Sequence, residues 1–220
     1  MQSRIQLPTR RLSTRRSLAA LLALSVLLAV GCQASTAATL DDAALSSGDV
    51  PRDWRPADIE ESKGEALWDT LPDLLTVSSD ARLILRVFES ESGLHGAATM
   101  LIETDDPAAL PPTIQDDEAL APLSRLLARQ DALLIPNPLG GDPNAYFSAS
   151  DEPLPGTVRS RLVRTLDGET LIFSDSATFT AGSVLAVVTV WYPEGEGPLL
   201  DVAELSSGVE QKLRSYLGQS

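Results

Sequence analysis

Between Thr157 and Tyr192 the chain offers three long runs of strand-forming residues with almost nothing between them. The run "TVRSRLVRT" (157–165) meets "ETLIFSDSATFT" (169–180) across Asp167-Gly168, a dipeptide suited to the left-handed backbone of a two-residue hairpin. A second turn, read at Ala181-Gly182, leads into "SVLAVVTVWY" (183–192). Connections this short leave no room for a crossover, so the three strands must be antiparallel neighbours.

Further strands come before them. "ARLILRVFES" (81–90) and "GAATMLIET" (96–104) are rich in branched and aromatic residues, and Glu91–His95, with Gly93, joins them as a hairpin. "DALLIPNP" and "NAYFSAS" supply shorter strands around Gly140-Gly141. Two helices accompany the strands. Asp116, Asp117 and Glu118 precede "APLSRLLAR", with Arg125 and Arg129 late, a charge order that complements the helix dipole. At the C-terminus, Val202, Leu205, Val209, Leu213 and Tyr216 recur at spacings of three and four, which predicts an amphipathic helix over 199–217. Pro198 opens it and Gly218 lies past its end. Its stripe is expected to lie on the sheet, so that Leu213→Asp would bury an unpaired charge and unfold the domain. The fold class is α+β, an antiparallel sheet packed by helices.

The leader is of another kind. Leu18–Gly31 is a 14-residue apolar run broken by Ser25 and Gly31, about 21 Å long as a helix. That is short for a bilayer core of about 30 Å. Arg4, Arg10, Arg11, Arg15 and Arg16 precede it, and no acidic residue occurs before Asp41. A basic start, a short apolar centre and small terminal residues read as a signal peptide over 1–31; the alternatives are a signal anchor or a buried helix.

The run ends Leu28-Ala29-Val30-Gly31-Cys32. This resembles the lipobox of bacterial lipoproteins, with Ala29 at the position where that family usually has Leu. The resemblance implies a diacylglyceryl thioether at Cys32, cleavage before it, and anchoring at the extracytoplasmic face of the cell membrane. Cys32 is also the chain's single cysteine, and a lone exported thiol has no partner for an internal disulfide. Ordinary signal cleavage is the alternative. Two acyl chains hold a protein stably where one holds it marginally. Residues 32–40 then form a lipidated flexible tether, and 41–220 a single α+β domain. "TRRSLA" from Thr14 resembles the twin-arginine export signal; the general export route is the alternative.

Without the five leader arginines, 12 of the 17 basic residues remain against 31 acidic ones, a formal charge of −19. Such a surface repels phosphate backbones and anionic headgroups, which argues against a nucleic-acid partner.

Near the start of the mature chain, Asp49-Val50-Pro51 followed two residues later by Trp54 resembles the Asp-Leu-Pro-x-Gly-Trp signature of exported PsbP/Mog1-like domains. The chain departs from it at Val50 and Asp53. The resemblance implies an antiparallel sheet with a terminal helix and carries no particular activity. From the residues alone, Trp54 reads as a buried cap on the core.

Catalytic patterns are sparse. His95 is the only histidine, so a two-histidine metal site cannot form. There is no Gly-x-Ser-x-Gly turn and no phosphate-binding glycine loop. Asp105-Asp106 and Asp116–Glu118 are oxygen-rich and suit either calcium or solvent. Arg159 and Arg161 fall on one face of their strand and Arg164 on the other. The pair is the candidate ligand-binding site, gripping an anion or a partner carboxylate; the competing reading is cross-strand pairing with an acid such as Asp175. Trp191-Tyr192 caps the core or forms a contact patch. No catalytic residue, metal or cofactor is assigned. The expectation is a non-enzymatic, lipid-anchored domain that binds a small ligand or protein partner; the alternatives are a subunit of a membrane-associated complex, or a hydrolase using an acid pair or His95.

Overall fold

Strand-forming runs joined by tight turns can only stack side by side, and the computed structural model shows how far that stacking extends. It describes residues 38–57, 81–107, 110, 127, 142–150, 157–166 and 169–219, with the backbone alone at 142–150, 164–166 and 169–170. The elements are α1 (Leu40–Ala43), β1 (Arg55–Pro56), β2 (Arg82–Glu89), β3 (Gly96–Glu103), β4 (Asp142–Ser150), β5 (Thr157–Leu166), β6 (Glu169–Ala181), β7 (Val184–Pro193) and α2 (Val202–Tyr216). They form an α+β fold on one seven-stranded sheet, ordered β1-β2-β3-β7-β6-β5-β4, with every pairing antiparallel. The β4–β7 meander and the β1–β3 unit are joined where β3 pairs β7, Gly96 opposite Trp191 through Glu103 opposite Val184.

The two central strands lack the alternation expected of a half-wet antiparallel sheet. "GAATMLIE" and "VLAVVTVWYP" are buried at every position but the last. One face packs under the helices: Phe88, Ala97, Leu101, Ala177, Phe179, Val184, Ala186, Val188 and Val190 meet Val202, Val209 and Leu213 of α2. Leu40, Ala43, Leu45, Val50 and Trp54 from the start of the fold close the same cluster. Trp54 is the buried cap expected of it. On the opposite face, Val87, Ala98, Ile172 and Trp191 form a second cluster. Trp191 and Tyr192 therefore belong to the interior.

Position 96 shows how tight this packing is. A Cβ on Gly96 would stand 1.9 Å from Trp191 Cζ2. Glycine is thus required there by its cross-strand partner. At the β6–β7 turn it is the backbone that requires glycine, since Gly182 has φ 56°.

Several boundaries differ from the sequence expectation. The β6–β7 turn is Gly182-Ser183, because Ala181 already pairs with Val184. Helix α2 starts at Val202, not Leu199, because the Asp201 carboxylate accepts from Ala203 N at 2.7 Å and caps it there. Leu199 is left outside, 61% exposed. The fold also takes in residues assigned to the tether. Thr39 caps α1 in a reciprocal capping box with Asp42, and Leu40 is fully buried. The strand around "NAYFSAS" is longer than expected, starting at Asp142. The expected strand "DALLIPNP" lies outside the described residues. So does the expected helix after Glu118, apart from Leu127, which is helical and buried.

Candidate functional site

Alternation places Arg159 and Arg161 of β5 on the helix-bearing face, and a bulge decides what they meet. Thr165 pairs with Thr170 but Arg164 with Ile172, so Leu171 is an extra residue on β6. That one-residue shift sets Arg161 opposite Asp175, while the unbroken β6–β7 register sets Phe173 opposite Tyr192. Arg161 donates from Nε to Asp175 Oδ1 at 2.6 Å and from Nη2 to Oδ2 at 2.8 Å. The fork-on-fork geometry is that of a strong charge-assisted pair. The Tyr192 hydroxyl donates to Asp175 Oδ2 at 2.9 Å and accepts from Arg161 Nη2 at 3.2 Å. The guanidinium also lies 5.3 Å from the Phe173 ring centroid, and Phe173 leans on Tyr192 at 5.7 Å.

Burial is unequal within this cluster. The Arg161 side chain is 51% exposed and that of Asp175 17%, so solvent screens the pair from one side and its contribution stays near that of surface pairs. Burial, helped by the hydrogen bond to Asp175, pushes the Tyr192 phenol up to about 12. The Asp175 hydrogen bond moves Arg161 further up, so its charge is permanent.

One edge of the Arg161 guanidinium is therefore committed within the sheet, the cross-strand pairing weighed against ligand capture. Arg159 stands one pleat away opposite Ala177. It is half-buried and makes no ion pair among the described residues. The structure brings Arg159 and Arg161 to one face, as alternation required, but binds Arg161 to Asp175.

The other chemistry-bearing residues are also engaged. His95 lies at the end of the β2–β3 connection, with Nε2 3.2 Å from Glu196 Oε2. Lys212 of α2 donates to Asp49 Oδ2 at 2.7 Å and to the Ala44 carbonyl at 3.2 Å, fastening the helix to the start of the fold. Burial pushes the Asp49 carboxyl up, but hydrogen bonds from Lys212 and Ser46 outweigh it and hold Asp49 below the usual carboxylate range. Asp105 and Asp106 are exposed. Among the described residues no three His, Cys, Asp or Glu side chains converge as metal ligands. Cys32 and the acids at 116–118 lie outside the described residues.

Sequence reasoning missed Phe173, Tyr192 and Glu196 as members of these clusters. For Tyr192 the signal was present: strand alternation from Val190 puts it on the helix face beside Asp175. Glu196 carried none, because its placement depends on the turn after Pro193, where Gly195 has φ 84°.

No protein-family model matches this chain. No curated protein matches it either. Among the described residues no helix is long and apolar enough to cross a membrane.

Proposed function

We propose that this chain is a lipid-anchored extracytoplasmic domain that binds a ligand or partner and catalyses no reaction. The observation that carries the reading is the place of Cys32, the only cysteine, at the end of a basic and apolar leader. Five residues, 33–37, separate it from the fold's first described residue, Ala38. Six Cα–Cα steps reach at most about 20 Å, so a lipid on Cys32 would hold the domain next to the bilayer. A surface of net charge −19 then discourages the domain from lying flat on anionic lipid.

Pairing among the polar residues supports a binding role. Arg161 is held by Asp175, Lys212 by Asp49, and His95 faces Glu196. Arg161 and Lys212 would each have to leave a carboxylate to grip another anion. Arg159 is the basic residue best placed to meet an anionic ligand, on the sheet face it shares with Arg161. The PsbP/Mog1-like resemblance is part of this proposal and rests on Asp49, Pro51 and Trp54.

The test is an intact mass of full-length protein purified from bacterial membranes in mild detergent. The expected product begins at Cys32 with added diacylglyceryl mass, and Cys32→Ser abolishes both the lipid and the membrane retention. A bare chain cut elsewhere and recovered from the soluble fraction would overturn the anchor. A ligand role predicts a melting temperature that rises with an anion and stops doing so in Arg159→Ala. The alternative, a subunit of a membrane-associated complex, predicts a partner that stays bound through purification. Hydrolytic turnover abolished by His95→Ala would overturn the non-enzymatic reading.

A further inference from the structure

Two contacts tie the β2–β3 connection to the segment that leaves β7. The first is indifferent to pH: Trp191 Nε1 donates to the Gly93 carbonyl at 3.2 Å. The second joins His95 Nε2 to Glu196 Oε2 at 3.2 Å, within ion-pair range but out of line for a hydrogen bond. The imidazole is 11% exposed while the Glu196 carboxylate is 63% exposed. Histidine is the side chain whose charge ordinarily changes between pH 5 and 8, and this chain has only one.

We infer that His95 and Glu196 form a protonation-dependent clasp, closed when His95 carries a proton and released as it loses it. An imidazolium Nε2–H at this distance meets a carboxylate and gains a charge-assisted contact. A neutral ring offers the same oxygen no charge to meet. What the clasp restrains is the β7–α2 loop, residues 194–201. That loop turns at Gly195 (φ 84°), carries the exposed Leu199, and ends at Asp201, which caps α2. Its other ties are backbone bonds, Glu194 N to Leu171 O at 3.0 Å and Glu196 N to Pro193 O at 3.3 Å, and the side chain of Leu200, which packs against the helix-face core.

The charged and titratable groups nearest His95 in the sheet and its connections come from four elements, of which β1 carries Arg55, opposite Glu89. The β2 end and its connection carry Glu89 and Glu91, and β7 carries Tyr192, whose hydroxyl is engaged with Asp175 and Arg161. The β7–α2 loop carries Glu194 and Glu196. Of these, Glu196 is the group within ion-pair distance. The Ser90 hydroxyl accepts from the His95 backbone N–H and leaves the ring alone.

The sequence makes the test clean. Of the 14 glycines, Gly195 and Gly197 are the two that follow a glutamate. Carbonyl-¹³C glutamate with ¹⁵N glycine therefore selects the loop amides, and ¹³C-histidine reports the single ring, in full-length protein held in mild detergent. As pH is varied, the Gly195 and Gly197 amides should shift along the same curve as the His95 ring. In Glu196→Gln, where Gly195 alone still follows a glutamate, its amide should stay still as the ring changes, and in His95→Gln both amides should stay still. Loop amides that ignore the ring in the wild type would overturn the clasp. So would amides that still shift in either variant.

Discussion

A single methyl group added at position 96 should destabilise the protein, and the same methyl added at position 208 should stabilise it. An ideal Cβ on Gly96 would lie 1.9, 2.4 and 2.5 Å from Cζ2, Cη2 and Cε2 of Trp191. Carbon atoms rest about 3.5–4.0 Å apart, so the indole would have to retreat by roughly 1.5 Å. It has little room, being 1% exposed and packed with Val87, Ala98 and Ile172. Overpacking of this kind costs about 1–3 kcal/mol. Drawing Nε1 away from the Gly93 carbonyl forfeits about 1 kcal/mol more. Removing a glycine from a strand returns about 0.5–1 kcal/mol of backbone entropy. The net destabilisation expected for Gly96→Ala is about 2–3 kcal/mol. Gly208, inside α2, has nothing within 4 Å of its ideal Cβ, so Gly208→Ala should add about 0.5–1 kcal/mol from helix propensity alone. Urea unfolding followed by tryptophan fluorescence measures both, as opposite shifts in midpoint at constant slope. If Gly96→Ala stays within about 0.5 kcal/mol of the parent, or both variants move the same way, the packing argument at Trp191 is wrong.

Three other outcomes follow from polar groups. Because burial raises the Tyr192 phenol to about 12, the stability linked to it is intact below its unfolded value near pH 10 and is lost as pH rises through about 12. The tyrosinate absorbance that disappears in Tyr192→Phe should appear at that high pH, and nearer neutrality in Asp175→Asn. Thr178 is fully buried and its hydroxyl finds no partner among the described residues, so Thr178→Val should raise stability by about 1 kcal/mol in the same urea assay; a loss instead would mean the hydroxyl is in use. The lowered Asp49 carboxyl stabilises the fold above its unfolded value near pH 3.8 and ceases to as pH falls through its folded value. Lys212→Met should cost roughly 1 kcal/mol at pH 7 and flatten that acid-side decline, as thermal melts at pH 2–7 would record.

Much of the sheet was legible because its determinants are local. Strand alternation and the short connections read at Asp167-Gly168 and Ala181-Gly182 dictate a β5–β6–β7 meander whatever the rest of the chain does, although the second turn falls one residue later. The C-terminal helix was legible from its stripe, although Asp201 moved its start by competing for the N-cap. The pairing of β3 with β7 was not, because it joins segments more than 80 residues apart and both strands are too uniformly apolar to reveal a register. The bulge at Leu171 was equally hidden. Without it the hairpin count places Arg161 opposite Ser174; with it, opposite Asp175. The candidate pair of arginines could thus be assigned to a face by alternation, while the fate of Arg161 depended on one extra residue in a neighbouring strand. His95 was visible as a unique residue, but its carboxylate comes from a turn with no pattern to announce it.

The helix face of the core has a history as well as a shape. It is assembled from Leu40 and Ala43 at one end of the fold and Val209 and Leu213 at the other, with β3, β6 and β7 between. A chain emerging from the ribosome makes its N-terminal part first, so the earliest segment waits, its apolar side chains uncovered, until the last fifteen-residue helix is released. Contacts spanning most of the chain also slow closure once synthesis ends. This architecture leaves part of the helix face uncovered until the last helix is made, the interval in which a holding chaperone would have the most to cover.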